Sequence, residues 1–548
     1  MRVCLFSMMM LAAGLLLVAG CSSESEMATS ESARPYEKKK MRDEQAVRTP
    51  NPATLGSGAI NNVPAAAEQR NTEAYDEIVV NEFVEALTTP KSTFSIDVDT
   101  ASYSNVRRFI NDGKRPPKGA VRIEELINYF GYDYNDDLKS EHPFSVHTAF
   151  RKCPWNPEHH LVRIGLQGKR IARSKKPDCN LVFLLDVSGS MRAANKLPLL
   201  VKSMKMLTES LSRTDRIAIV VYASASGVVL PSTPVGESGK ILAALDKLRA
   251  GGSTNGGQGI QAAYRIAAKN YIEDGINRVI LCTDGDFNVG VSDRSSLVAT
   301  IKKNAKSGIE LSVLGFGRGN LKDSAMEQLA DNGNGNYAYI DSEMEAKKSL
   351  VDEIDGKLIT IAKDVKIQVD FNPARVHSYR LIGYENRLLE NKDFSDDSKD
   401  AGEIGSGHSV TALYELVPAD PNNPHDPINS PSDDLESEFV MTKLKRSAIE
   451  SDVVLNVHLR YKLPKESDGQ TFTVPLEFPA QEQAEMPAGD FQFAAAVAAY
   501  GMLLQDSKFK GDADWQSVLE AAKNGAGEDR KGYRAEFVQL VRQAAFIQ

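Results

Sequence analysis

Asp186-Val187-Ser188-Gly189-Ser190 places one carboxylate and two hydroxyls at alternate positions, directly after the apolar run Leu181-Val182-Phe183-Leu184-Leu185. No nitrogen or sulfur ligand stands beside them, so the set is one of hard oxygen donors, suited to Mg²⁺ or Ca²⁺ rather than zinc. Asp and Ser are equally at home at a helix N-cap, where they satisfy free backbone N–H groups, and this segment alone leaves both readings open. Two further segments bear on the choice. Gly251-Gly252-Ser253-Thr254-Asn255 is a glycine turn that delivers Thr254 at the start of a helical pattern, and Thr283-Asp284-Gly285-Asp286 follows a second apolar run. If the three segments meet, Asp186, Ser188, Ser190, Thr254 and Asp284 form one cluster of oxygen donors; independent caps give no reason for three aligned loops. Asp286 is not counted as a ligand, since it can equally steer cations or brace its loop.

Positioning them requires a parallel sheet. Between Asn180 and Ile361 strand-like runs alternate with helical patterns: Leu181–Leu185, Arg216–Tyr222, Arg278–Cys282, Ile309–Leu314 and Tyr337–Ile340, with a short piece at Val228–Leu230 suited to an antiparallel edge. Leu200, Met204, Leu207 and Leu211 share one helix face, and Ile260, Ala263, Tyr264 and Ala267 another. Such βα repetition predicts a doubly wound, mostly parallel sheet, with all three oxygen-bearing segments at its carboxyl edge, where α/β domains bind ligands.

The order Asp-x-Ser-x-Ser, then a distant Thr, then a distant Asp resembles the metal-ion-dependent adhesion site of the von Willebrand factor A-domain family. The resemblance implies that Ser188, Ser190 and Thr254 ligate Mg²⁺ (or Mn²⁺ or Ca²⁺) directly, while Asp186 and Asp284 act through bound waters. It also implies an open coordination position that takes a carboxylate from a partner protein. Further stretches, among them Ser92–Tyr103, Arg122–Phe130, Cys153-Pro154-Trp155-Asn156-Pro157 and Gly532–Phe537, are similar to a family of bacterial lipoproteins, the YfbK-like proteins. That likeness implies an N-terminal module, the A domain and a C-terminal domain of uncharacterised function.

The expected architecture is therefore α/β, with a von Willebrand factor A or Rossmann-like sheet over 177–361. An N-terminal α+β module over 71–176 and a C-terminal β-sandwich-like and helical region over 362–548 flank it. Tyr103, Val106 and Ile110 keep helical spacing, as do Ile123, Leu126, Ile127 and Phe130; Thr93–Asp99 alternates like a half-exposed strand. Val365–Phe371, Val410–Leu416 and Leu455–Leu463 alternate strictly, Phe491–Leu504 is apolar nearly all round, and Phe537, Leu540, Val541 and Ala544 mark a last helix.

At 548 residues the chain exceeds what one core supports, and its net charge of -9 argues against broad nucleic-acid binding. Arg2, the apolar run Val3–Val18 and Ala19-Gly20-Cys21 read as a signal peptide over 1–20 with a lipoprotein-type cysteine, so Cys21 is the expected lipidation site. A flexible tether over 21–70, poor in aromatic residues, would hold the body off the membrane. Ser22 after the cysteine points to the outer membrane of a Gram-negative cell envelope. In an exported protein Cys153 and Cys179 can pair, whereas Cys282 lies inside an apolar strand.

Enzyme signatures fail on inspection. Asp97-x-Asp99 resembles a phosphatase nucleophile pair, but Ala101 stands where Thr or Val is usual; Gly236–Lys240 lacks the first Gly and the Ser or Thr of a P-loop. The eight His show no zinc spacing, and no Gly-x-Ser-x-Gly elbow occurs. The expected class is a lipid-anchored binding protein and not an enzyme; the alternatives are an envelope scaffold with a purely structural metal and a metal-dependent hydrolase.

Overall fold

The computed structural model describes residues 75, 77–134, 140–224, 226–253, 256–285, 294–317, 323–399, 401–420, 444–477 and 489–547. The leader, Cys21, the tether, Thr254 and Asp286 lie outside the described residues.

The first part of the body comprises β1 (Val84–Glu85), β2 (Lys91–Ser95), α1 (Ala101–Asn111), α2 (Ile123–Asn128), β3 (Phe144–Cys153) and β4 (Asn156–Gly168). The central domain follows with β5 (Cys179–Asp186), α3 (Leu197–Ser210), β6 (Arg216–Tyr222), β7 (Ser226–Pro234), α4 (Ser238–Leu245), α5 (Gly257–Lys269), β8 (Ile276–Thr283), α6 (Arg294–Lys306), β9 (Glu310–Phe316), α7 (Asp323–Asp331), β10 (Tyr337–Ile340), α8 (Glu343–Lys347) and α9 (Ile354–Leu358). Its sheet runs β10-β9-β8-β5-β6-β7, parallel throughout except for the antiparallel edge strand β7. All eight residues of β5 are buried, because helices cover both faces of the central strand. The expected doubly wound sheet, including its antiparallel edge at Val228–Leu230, is present.

The remaining strands are β11 (Thr360–Phe371), β12 (Val376–Ile382), β13 (Leu388–Leu389), β14 (Gly402–Gly405), β15 (Ser409–Pro418), β16 (Val453–Lys462) and β17 (Gln470–Glu477). With them come α10 (Arg446–Glu450), α11 (Asp490–Gln505), α12 (Trp515–Gly525) and α13 (Tyr533–Ala544). These do not form a separate domain. One sheet is ordered β1-β12-β15-β4-β3 and the other β13-β2-β11-β16-β17, so each interleaves strands from both sides of the central domain. Phe94, Ile164, Ile367, Tyr414 and Val457 meet between the sheets in one apolar core. On the outer face of the first sheet, Leu161, Ile382 and Leu413 pack against α1, α2, α11 and α13 through Val106, Leu126, Val497 and Phe537. The expectation of separate modules over 71–176 and 362–548 is thus corrected: they are one three-layer body into which the central domain is inserted. Local periodicity identifies strands, but the choice of partner across some 270 residues is made by burial of their shared faces.

A second correction concerns Thr93–Asp99. The strand β2 is central, and Thr93, Phe94, Ser95 and Ile96 are all buried. Its polar face is covered by the segment after β12, where Asn391 accepts from Thr93 and the Ser95 hydroxyl accepts from the Gly402 amide at 2.8 Å. Alternation here records two different buried faces, not a wet one. The all-round apolar stretch at Phe491–Leu504 is the buried helix α11, as expected.

Both crossings into the central domain are held by one turn. Gly168 donates to the His408 carbonyl at 2.8 Å, Ser406 donates to the Ile359 carbonyl at 2.8 Å, and Thr360 pairs with Gly405. Gly405 must be glycine because a Cβ there would stand 1.7 Å from the Gly356 carbonyl oxygen. Ion pairs then fix the domain's flank: Arg107 of α1, buried, binds Asp341, Glu345 at 2.9 Å and Glu536 at 2.9 Å, and Arg387 binds Glu327 at 2.8 Å. Removing Arg107 would leave those carboxylates buried without their cation, a loss of about 3–5 kcal/mol. Gly405→Ala should lower the stability of the whole body by about 3 kcal/mol, read from the midpoint of chemical unfolding. An unshifted midpoint would show that the turn yields freely.

Candidate metal centre

The chain leaves β5 at Asp186, where burial on both faces ends and the backbone turns over the sheet edge. The Asp186 carboxylate is fully buried, and its Oδ1 accepts the Ser188 amide at 2.8 Å. Burial pushes the Asp186 carboxyl up to about 6, the Ser188 amide and hydroxyl and the Tyr222 hydroxyl pull it back, and the nearby Asp284 charge raises it. Among the described residues, the hydrogen-bond partners of this carboxylate, Ser188, Tyr222 and Thr283, are neutral. The Ser188 and Ser190 hydroxyls face each other at 2.9 Å.

The second loop is fastened to the first through backbone alone. Gly251 donates to the Val187 carbonyl at 2.8 Å, Gly189 donates to the Gly252 carbonyl at 2.9 Å, and Val187 donates to the Tyr222 carbonyl at 3.0 Å. Thr254, one residue past the described part of this loop, is not placed. From β8, Thr283 sets its hydroxyl 3.5 Å from Asp186 Oδ2, and Asp284 follows, 1% exposed. Four of the five expected residues, Asp186, Ser188, Ser190 and Asp284, are thereby described at one sheet edge. The feature that sequence reading missed is Lys196, whose ammonium donates to Asp284 Oδ2 at 2.7 Å. Its only signal was a charged residue at the start of the otherwise apolar face of α3.

The donor set fits a hard divalent cation. It is oxygen-only, pairs two hydroxyls with two buried carboxylates, and leaves one carboxylate with neutral partners. Among the described residues no group of three or more His, Cys, Asp or Glu converges as a metal cage. A cavity of about 1070 Å³ lies at the opposite edge, lined by Asp97, Asp99, Arg278, Tyr337 and Arg387 among others. There Asp99 accepts the Tyr337 amide at 3.0 Å and Asp97 pairs with Arg387 at 3.1 Å, which makes the Asp97-x-Asp99 motif part of the domain's ionic mounting.

Cys153 and Cys179 are not paired. Cys153 ends β3 against the helical layer, Cys179 opens β5 in the central domain, and both are free thiols in different apolar clusters. Burial pushes the Cys179 thiol up to about 12 and raises those of Cys153 and Cys282. Unreduced protein should therefore resist alkylation when native and be tagged at all three positions once unfolded. A crosslinked Cys153–Cys179 peptide in the mass spectrum would overturn this.

Family models match three consecutive stretches: a von Willebrand factor model at 69–163, the von Willebrand factor type A domain at 180–353, and the C-terminal region of the uncharacterized protein YfbK at 356–547. The uncharacterized protein YfbK of Escherichia coli (strain K12) is 41% identical over 481 residues, covering 86% of this chain and 81% of its own. Inter-alpha-trypsin inhibitor heavy chain H1 of Homo sapiens is 24% identical over 259 residues, 43% of this chain and 28% of its own. Among solved structures, a von Willebrand factor type A protein from Catenulispora acidiphila aligns at 15% identity and a TM-score of 0.40, covering 74% of this chain and 91% of that one.

Proposed function

The chain belongs to the YfbK family of von Willebrand factor type A domain proteins, and on that premise we propose that it is a lipid-anchored envelope protein whose A domain binds a partner protein through a divalent metal ion. Ser188, Ser190 and Thr254 would hold the ion directly, with Asp186 and Asp284 behind its waters. A bound Mg²⁺ (or Mn²⁺ or Ca²⁺) supplies an electrophilic coordination position that an acidic side chain of the partner can fill. The observation that carries this reading is the buried Asp186 carboxylate, held among neutral donors beside two hydroxyls at the carboxyl edge of the sheet. Burying such a carboxylate is costly unless a positive charge repays it.

A metal that merely staples loops is the less favoured use of the site. The first and second loops are already joined by two backbone hydrogen bonds without it, and a third ties the first loop to the end of β6. The ion is then free to serve an external ligand. The anchor would be acyl chains on Cys21, with the tether giving the A domain reach from the membrane. The outer membrane of a Gram-negative cell is the proposed location.

Two experiments test the reading. Crosslinking in cells should capture a partner with wild-type protein, and the Asp186→Ala/Ser188→Ala variant or a chelator should reduce that capture at least tenfold, about 1.4 kcal/mol of affinity. Capture that survives both would sink the metal-bridged interaction. Metabolic labelling with a palmitate analogue should mark the wild type and not Cys21→Ser; equal labelling would place the anchor elsewhere.

A further inference from the structure

Lys196 stands in the turn ahead of α3 and is 4% exposed. Its ammonium donates to Asp284 Oδ2 at 2.7 Å, between side chains that are 5% and 0% exposed. Its stem runs through a slot at Gly317, whose φ of +85° and missing side chain are both needed: a Cβ there would lie 2.2 Å from Lys196 Cε. The Gly317 carbonyl is in turn held by the Tyr339 hydroxyl. A buried ammonium is expensive unless paired, and here the surrounding structure is shaped to deliver it to one carboxylate.

We propose that Lys196 is a positioning and specificity-determining residue of the metal centre, pinning Asp284 and cancelling one of the site's two carboxylate charges so that a bound divalent ion stays net positive and selects an anionic ligand. The charge count makes the case. Among the described residues, Asp186 and Asp284 contribute two negative charges and Lys196 one positive, leaving one net negative charge at the site. A divalent ion turns this to one net positive charge, which a single carboxylate from outside neutralises. Without Lys196 the protein alone would neutralise the ion, and the open position would have no preference for an anion. The inference rests on the metal reading above and supplies what that reading left open, namely why the ligand should be acidic.

The test uses the full chain without any partner. Mg²⁺ or Mn²⁺ is titrated calorimetrically into wild type, Lys196→Met, which keeps the stem, and Lys196→Gln, which keeps a hydrogen-bond donor without the charge. Acetate is then titrated into the Mn²⁺-loaded proteins, followed by water-proton relaxation. Both variants should bind the metal at least about tenfold more tightly and acetate at least about tenfold more weakly than wild type. Metal binding that is unchanged or weaker, tighter metal with unchanged acetate affinity, or loss of folding in both variants would overturn the proposal and leave Lys196 a structural brace. A wild type that binds no metal would defeat the metal reading itself, and is distinguishable because the variants are then irrelevant to the outcome.

Discussion

One turn, Gly405 to His408, holds the molecule together at its topological weak point. A domain inserted into another has two chain crossings, and each would be a hinge if left alone. Here the last residue of β4 and the first residue of β11 are both tied to the same turn, and its glycine backbone lies too close to Gly356 for any side chain to intervene. The sandwich cannot close unless the inserted domain's ends come together, and the inserted domain cannot swing without opening the sandwich. Folding of the two is therefore linked through contacts of high sequence separation.

Buried charge does the rest of the mounting. Arg107, Arg278 and Arg387 each reach from one layer to carboxylates or carbonyls of another. Guanidinium suits this work because it offers several donors in a rigid plane and stays charged when buried. These contacts gather on the flank and amino edge of the A domain, away from the carboxyl edge with its hydroxyl-rich cluster.

The site's chemistry depends on how few charges it contains. Two carboxylates and one ammonium share a buried space with hydroxyls, amides and the Tyr222 ring. On the proposed reading, a divalent ion bound at such a site would be held less tightly than in a cage of carboxylates and would be more reactive toward an external oxygen.

The sequence by itself determined what local chemistry can encode. The ten-residue stretch Leu181–Ser190 carried strand, turn and donors together, and the parallel strands β5, β6, β8, β9 and β10 followed from apolar periodicity because they are largely buried on both faces. Asp284 and the Asp186–Ser190 loop were readable as one site since they close adjacent strands of that sheet. What only the tertiary structure decided was partnership at a distance. Alternation in Thr93–Ser95 and Lys366–Asp370 does not state that these strands pair, because many strands offer the same faces and burial makes the choice. Cys153 and Cys179 belong to different cores for the same reason. Lys196 shows it most clearly: a lysine in a sequence is presumed to reach water, and only the slot at Gly317 turns it inward onto Asp284.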